Sequence, residues 1–199
     1  MGLPTGHTSI NALTGCDSHP RKDQPMSLSI SQASVPVFEV GLNALSGVLD
    51  KAASFAAAKK VEESVLVGWR LAPDMLALAR QVQIASDMAK NGAARLGGVE
   101  PPRFEDTETT IQQLKERIEK TLAFVKTVDT TAIDASADRE ITFPLGPTNK
   151  GQMRGVDYLN HFVLPNFYFH LTAAYAILRH CGVELGKRDF LGAIPMKMT

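Results

Sequence analysis

The stretch IQQLKERIEKTLAFV, residues 111–125, carries the clearest periodicity in the chain. Its apolar side chains recur at steps of three and four residues, and charged residues occupy much of the remainder. This spacing places the apolar side chains on one face of an α-helix. The face consists of Ile111, Leu114, Ile118, Leu122 and Val125. We predict a helix that follows a cap at Asp106 or Thr107 and buries this face.

The segment that ends near Lys59 or Lys60 repeats the same helical spacing. Ser34 followed by Pro36 suits the beginning of a helix, because proline is tolerated in the first turn. An earlier start, at one of the serines 29 and 31, is the alternative. Either start predicts the first helix of the chain.

Two more segments of the chain show helical periodicity, one before residues 111–125 and one after them. The first is opened by Pro73 and stopped by Gly97 and Gly98, which suit a helix C-terminus. The second runs over residues 156–181 and carries Pro165 in its interior. Proline removes a backbone donor, so we predict a kink at that point of the last helix.

Four amphipathic helices joined by connectors of moderate length are typical of a four-helix bundle. The stretch EITFPLGPTNKGQMR, residues 140–154, has turn residues between short alternating pieces and predicts a small β-hairpin before the last helix. The chain lacks Val- and Ile-rich strands that alternate with helices, which excludes a doubly wound parallel sheet. We predict an all-α fold.

A chain of 199 residues fits one domain. Residues 1–25 are rich in Gly, Pro, Ser, Thr and Asn, and such a segment buries too little apolar surface to offset the entropy of ordering. We expect a disordered extension over residues 1–25 and the helical-bundle domain over residues 26–199.

Charge and cysteine content exclude several classes of protein. The 21 basic and 21 acidic residues balance, so neither nucleic acid nor an anionic membrane is an expected partner. No apolar run reaches the roughly 20 residues that a membrane span needs. The first 25 residues do not resemble a secretory signal. Cys16 and Cys181 lie far apart in sequence, so a disulfide framework is not expected. We expect a cytoplasmic protein.

Two histidines of the last predicted helix, His161 and His170, are nine residues apart and face opposite sides of a straight helix. Each has a polar residue four positions before it, Asp157 and Asn166 respectively. Either pair can bind a metal or form an ordinary structural contact. The structural contact is the simpler interpretation.

A second polar set lies on the second predicted helix. Asp74 precedes Gln81 by two helical turns and adjoins an apolar stripe, so it is a candidate for an inward carboxylate. A buried carboxylate needs a partner such as Arg70 or a metal. Gln83 and Asp87 form another pair at spacing four, and a solvated face is the alternative for both pairs.

Aromatic residues concentrate on the last predicted helix. Core packing explains them first, and a ring-lined pocket around His170 for a small apolar ligand is the sharper hypothesis. The candidate catalytic residues are His170 and Asp74. The candidate pocket residues are Asn166, His161, Tyr175 and Phe167.

Four stretches carry a resemblance to a known family: ASVPVF (33–38), RLAPDM (70–75), QVQIASD (81–87) and HFVLPNFYFHLTAAYAILRHCGVELGKRDFLG (161–192). They resemble the DUF1993 family of unknown function, and the resemblance covers nearly everything from residue 26 onward. That family is placed in the DinB/YfiT-like superfamily of four-helix bundles, which is described as one of metalloenzymes. The resemblance therefore implies the same bundle that the periodicity predicts.

Metal-binding members of that superfamily use one histidine of the second helix and a His-x-x-x-His pair of the fourth. This chain has no histidine between Val61 and Leu96, and the residue four positions before His170 is Asn166. The resemblance leaves Asp74, Asn166 and His170 as the available ligands, a weak set for zinc or nickel.

Two hypotheses about function follow. The first is a degenerate metal- or thiol-dependent enzyme of the transferase or isomerase type, in which a metal or His170 activates a thiol or water. The second is a non-catalytic bundle that binds a small apolar molecule or pairs with a second copy of itself. The resemblance and the place of His170 on an aromatic helix motivate the first hypothesis, and the missing histidines and the dense aromatic face of the last helix motivate the second.

Overall fold

Four long helical stretches, three short helices and one β-hairpin form the secondary structure of the described part of the chain. The computed structural model describes residues 1–2 and 28–194. In chain order its elements are α1 (Ile30–Lys59), α2 (Glu63–Val67), α3 (Leu78–Gly97), α4 (Ile111–Val125), α5 (Thr130–Asp134), β1 (Glu140–Leu145), β2 (Asn149–Arg154), α6 (Gly155–Asp157), a π-helical segment (Tyr158–Val163), α7 (Leu164–His180) and α8 (Lys187–Leu191). The predicted helical bundle with a hairpin before its last long helix is confirmed. The predicted extension, residues 1–25, lies mostly outside the described residues and stays a prediction.

Helix α1 begins at the earlier of the alternative starts. The Ser29 hydroxyl accepts a hydrogen bond from the Gln32 amide at 3.3 Å, and the Gln32 side chain accepts one from the Ser29 amide at 3.1 Å. This reciprocal pair satisfies two amide groups that the first turn leaves without partners. The helix ends at Lys59, as predicted, because Lys60 has a left-handed backbone conformation with φ of 56°.

Helix α3 begins later than predicted. The prediction that Pro73 opens it is wrong, because the chain between α2 and α3 forms a loop. The Leu78 amide donates to the Trp69 carbonyl at 2.9 Å and closes this loop. At the other end the prediction is confirmed, since Gly98 caps the helix with φ of 72°, a conformation that a residue with a Cβ rarely adopts.

Helix α4 is capped by Thr110, and the prediction of a cap at Asp106 or Thr107 is wrong. The Thr110 hydroxyl accepts from the Gln113 amide at 3.2 Å, and the Gln113 side chain accepts from the Thr110 amide at 3.2 Å. Asp106 instead pairs with arginines of α3 and α4. The predicted apolar face of α4 is buried at Ile111, Leu114, Ile118 and Val125.

Replacing Thr110 with alanine tests this cap. We expect a loss of about 1 kcal/mol in the free energy of unfolding, since the first turn of α4 then lacks its side-chain acceptor. Urea denaturation at neutral pH measures this loss. Thr107→Ala is the matched control, because Thr107 is exposed and makes no cap, and equal losses in the two variants would contradict the assignment.

The linker between α3 and α4 returns to the beginning of α3. Asp106 pairs with Arg80 in the first turn of α3, and Glu108 accepts from the Gln83 side chain at 2.7 Å. Helices α3 and α4 therefore run in the same direction. Helix α7 packs along α3 and also contacts α1, and α4 packs against both α1 and α3. In the described part of the chain, no helix is both long and apolar enough to cross a bilayer.

The antiparallel hairpin of β1 and β2 packs on the beginning of the last long helix. Its Phe143 ring lies 4.9 Å from the Tyr158 ring and 4.4 Å from the Phe162 ring, measured between centroids. These distances are typical of packed aromatic pairs. The hairpin thus covers apolar side chains at one end of the bundle.

The last long helix runs without a break from α6 through α7, close to the predicted range 156–181. Pro165 lacks an amide hydrogen and cannot donate to the carbonyl of His161, four residues earlier. The six residues Tyr158–Val163, just before it, are π-helical. A π-helical turn inside an α-helix is one way to absorb such a lost hydrogen bond. This π-helical stretch lies next to Pro165, and the kink predicted there stays a prediction.

Candidate functional site

The interface between α3 and α7 holds a buried polar pair. His170 of α7 has only 8% of its surface exposed, and its Nδ1 atom lies 2.7 Å from Oε1 of Gln81 on α3. Gln81 is buried as well. A hydrogen bond of this length between buried groups holds both side chains in place.

The surroundings of Gln81 decide which nitrogen of His170 carries the proton. The Gln81 side-chain nitrogen donates to the Leu76 carbonyl at 3.0 Å, which leaves its oxygen facing the imidazole. An amide oxygen can only accept, so Nδ1 of the neutral imidazole is the donor and Nε2 keeps a free lone pair. Within residues 28–194, the imidazole's hydrogen bond is made by Nδ1, and Nε2 has no partner.

The imidazole of His170 stays neutral over most of the pH range. Burial, and secondly the positive charge of Arg80, lower the pKa of His170 from 6.5 to about 4. Burial has this effect because the charged imidazolium loses more solvation than the neutral ring. At neutral pH the side chain is therefore a hydrogen-bond acceptor of fixed orientation and a weak base.

Asp74 does not join this pair. It is exposed and lies in the loop before α3, so its spacing from Gln81 no longer puts the two side chains on one helical face. The prediction of an inward carboxylate beside Arg70 is wrong, because the helix begins four residues after Asp74. The loop supplies the Leu76 carbonyl to Gln81 instead.

Asn166 and His161 also lie apart from the buried pair. The Asn166 side-chain nitrogen donates to the Phe162 carbonyl at 2.6 Å, a contact within its own helix. His161 is exposed, and Asp157, its predicted partner at spacing four, pairs with Arg154 at 3.0 Å. The hydrogen bond of His170 crosses to another helix, which a spacing rule within one helix does not detect.

The aromatic residues Phe167 and Tyr175 do not form the predicted pocket around His170. The buried Phe167 ring packs edge to face on Phe38 of α1, with centroids 5.3 Å apart. The Tyr175 ring packs on Phe190 of α8 at 5.8 Å. Helix α7 contacts both α1 and α3, so these rings serve core packing while His170 faces α3.

The donor atoms do not fit a bound metal. Of the three ligands that were available to a metal, Asp74 is exposed in a loop, Asn166 is tied to its own helix, and His170 alone presents a nitrogen lone pair. Zinc and nickel sites normally combine several imidazole, thiolate or carboxylate ligands. Within residues 1–2 and 28–194, no group of three or more His, Cys, Asp or Glu side chains could hold a metal ion.

A second polar cluster, which the spacing of residues within single helices did not predict, lies between α3, α4 and their linker. The Arg117 side chain of α4 is only 1% exposed and binds Asp87 at 3.0 Å, Asp106 at 2.9 Å and Glu108 at 3.0 Å. Lys90 of α3 pairs with Asp87 at 2.9 Å. The sequence feature that could have indicated this cluster is Arg117, an arginine next to the apolar face of α4. This cluster fixes the linker to the bundle.

Comparison with known proteins identifies a family and a solved structure to which this chain is similar. The family model described as "Domain of unknown function (DUF1993)" matches residues 30–191. The crystal structure of a DinB family member protein from Shewanella denitrificans is similar to this chain, with a TM-score of 0.78 and 40% sequence identity. The match covers 85% of this chain and 95% of that chain. No functionally curated protein matches.

Proposed function

We propose, given that this chain belongs to the DUF1993 family, that it binds a small and mostly apolar molecule through His170. Nε2 of the neutral imidazole accepts a hydrogen bond from a hydroxyl, thiol or amide N–H of that molecule. The observation that carries the proposal is the 2.7 Å contact between His170 Nδ1 and Gln81 Oε1, which orients the free nitrogen lone pair. A metal is not required for this role.

The surroundings of His170 suit an apolar molecule. The ring of Phe169 lies 5.2 Å from the imidazole, between centroids, and is 59% exposed. Leu76, whose carbonyl holds Gln81, is 44% exposed. A ligand that covers such side chains gains about 25 cal/mol for each Å² of apolar surface removed from water. The hydrogen bond to His170 would add orientation and specificity.

Catalysis by His170 is the less favoured alternative. A general base works best when its pKa is near the working pH, and the pKa of His170 is about 4. A free thiol has a pKa of about 8.5, so transfer of its proton to this imidazole is strongly unfavourable. The lowered pKa thus favours binding over activation of a thiol or water.

Nitrogen NMR of the His170 ring tests the proposal directly. At pH near 7 we expect the Nδ1–H tautomer, and we expect benzyl alcohol to shift the Nε2 resonance because its hydroxyl donates to that nitrogen. Benzyl methyl ether has the same ring and no donor, so a smaller shift is expected. An Nε2–H tautomer, or equal shifts with both compounds, would overturn the proposal.

A pair of variants supports the same experiment. His170→Phe keeps an aromatic ring and removes the acceptor, so benzyl alcohol should bind more weakly by about fivefold, the value of one ordinary hydrogen bond. His161→Phe is the matched control, since His161 is exposed on the same helix and lies outside the buried pair. Equal losses in both variants would count against His170 as the binding residue.

Native mass spectrometry of protein purified without chelators addresses the two remaining predictions. One equivalent of zinc or nickel that disappears in His170→Phe would favour the metal-dependent enzyme over the proposed binding role. The same spectrum reports the number of subunits. A doubled mass would support the predicted homodimer, and a single-chain mass at micromolar concentration would speak against it.

A further inference from the structure

A cleft of about 540 Å³ lies at the end of the bundle where α1 and α7 finish. The end of α1, the chain through α2 and the end of α7 line it, with Phe55, Lys59, Val61, Val65, Leu66, Trp69, His180 and Cys181. His180 follows His170 by ten residues, about 15 Å along a helix that rises about 1.5 Å per residue. The cleft is therefore separate from the site around His170. Its volume is in the range of small-molecule sites.

The walls of this cleft are mostly apolar and partly aromatic. Trp69 is 43% exposed and Val65 48% exposed, although both are large apolar residues. The rings of Trp69 and His180 have centroids 6.5 Å apart and planes tilted by 35°. A flat ring between them needs about 3.5 Å on each side, so a small rotation of the exposed Trp69 would admit one.

The charge of the cleft is positive. Lys59 lines it, and no carboxylate does. Lys59 is exposed, and within residues 28–194 it makes none of the ion pairs. Burial raises the pKa of the Cys181 thiol, so this group stays uncharged at neutral pH. One ammonium group is thus available to an anion.

We infer that this cleft binds aromatic monocarboxylates. The aromatic ring of the ligand lies against Trp69 and His180, and its carboxylate pairs with the ammonium group of Lys59. Ring and charge act together: the aromatic walls supply contact area, and the single lysine selects a monoanion over a neutral molecule of the same shape.

Trp69 is the single tryptophan of the chain, so its fluorescence reports on the cleft without a label. Phenylacetate is expected to change this fluorescence in a saturable manner. Two further compounds separate the contribution of the aromatic ring to binding from that of the charge. 2-Phenylethanol has the ring and no charge, and cyclohexylacetate has the charge and no aromatic ring. Both are expected to bind more weakly than phenylacetate.

Lys59→Gln should weaken the binding of phenylacetate by about threefold, which corresponds to one exposed ion pair. The binding of 2-phenylethanol should not change. Lys60→Gln is the matched control, because Lys60 is the next residue and does not line the cleft. Circular dichroism checks that both variants stay folded. The inference is overturned if phenylacetate gives no saturable change, if cyclohexylacetate binds as well as phenylacetate, or if the two lysine variants behave alike.

Discussion

On acidification from pH about 7.5 to about 4.5, the wild-type protein should lose about 2–3 kcal/mol more unfolding free energy than the His170→Gln variant. The cause is the pKa of His170, which burial and secondly Arg80 lower to about 4 in the folded protein. In the unfolded chain the same group titrates at about 6.5. The glutamine side chain of the variant does not titrate, so this part of the pH dependence disappears.

The sign follows from proton binding. Between the two pKa values of His170, the unfolded chain binds a proton that the folded protein does not, so acid favours unfolding. The contribution of His170 is complete above pH about 6.5 and is lost as the pH falls towards about 4.

Urea denaturation of both proteins over a series of pH values measures this difference. Carboxyl groups whose pKa is lowered in the fold, such as Glu108 and Asp134, titrate equally in both proteins and cancel from the comparison. Parallel curves for wild type and variant over the whole range would show that His170 is not held neutral by the fold.

Replacing Arg117 with methionine is expected to cost about 3–5 kcal/mol of unfolding free energy. The side chain is 1% exposed and holds the carboxylates of Asp87, Asp106 and Glu108 within 3.0 Å. Without the guanidinium, these carboxylates lie near one another, and within residues 28–194 their remaining ion-pair partners are Arg80 and Lys90. A value near the lower end is expected, because Asp87 and Asp106 keep some contact with solvent.

The pKa of Glu108 reports on the same cluster. Burial by itself would raise it, but hydrogen bonds from Arg117 and Gln83 bring it below its ordinary value. In the methionine variant one of these hydrogen bonds is lost, so the pKa of Glu108 should rise. Carbon NMR of the carboxyl group during an acid titration measures this change.

Arg103→Met is the matched control for Arg117→Met. Arg103 is 87% exposed and pairs with the exposed Glu105, so its loss should change the unfolding free energy by about 0.5 kcal/mol or less. Urea denaturation at neutral pH compares the two variants. Similar losses in both would mean that the buried cluster contributes no more than a surface ion pair.

Most of the helices could be predicted from the sequence, because the signals for a helix are local. The apolar spacing of residues 111–125 predicted α4, and the glycine after α3 predicted where that helix ends. Turn residues between alternating pieces predicted the hairpin. Helix starts were less well predicted, since several Ser, Thr or Asp residues compete as caps and the choice depends on neighbouring contacts. Asp106, for example, pairs with arginines and leaves the cap of α4 to Thr110.

The candidate site required the tertiary structure. The sequence alone determined that His170 lies on an aromatic helix and that the histidines of a three-histidine metal site are missing. Only the packing of α7 against α3 decided that Gln81, 89 positions away, is the partner of His170. Only the loop before α3 decided that Asp74 is exposed. The physical reason is that helical periodicity records which face is buried, whereas a hydrogen bond between helices depends on their order, direction and axial offset.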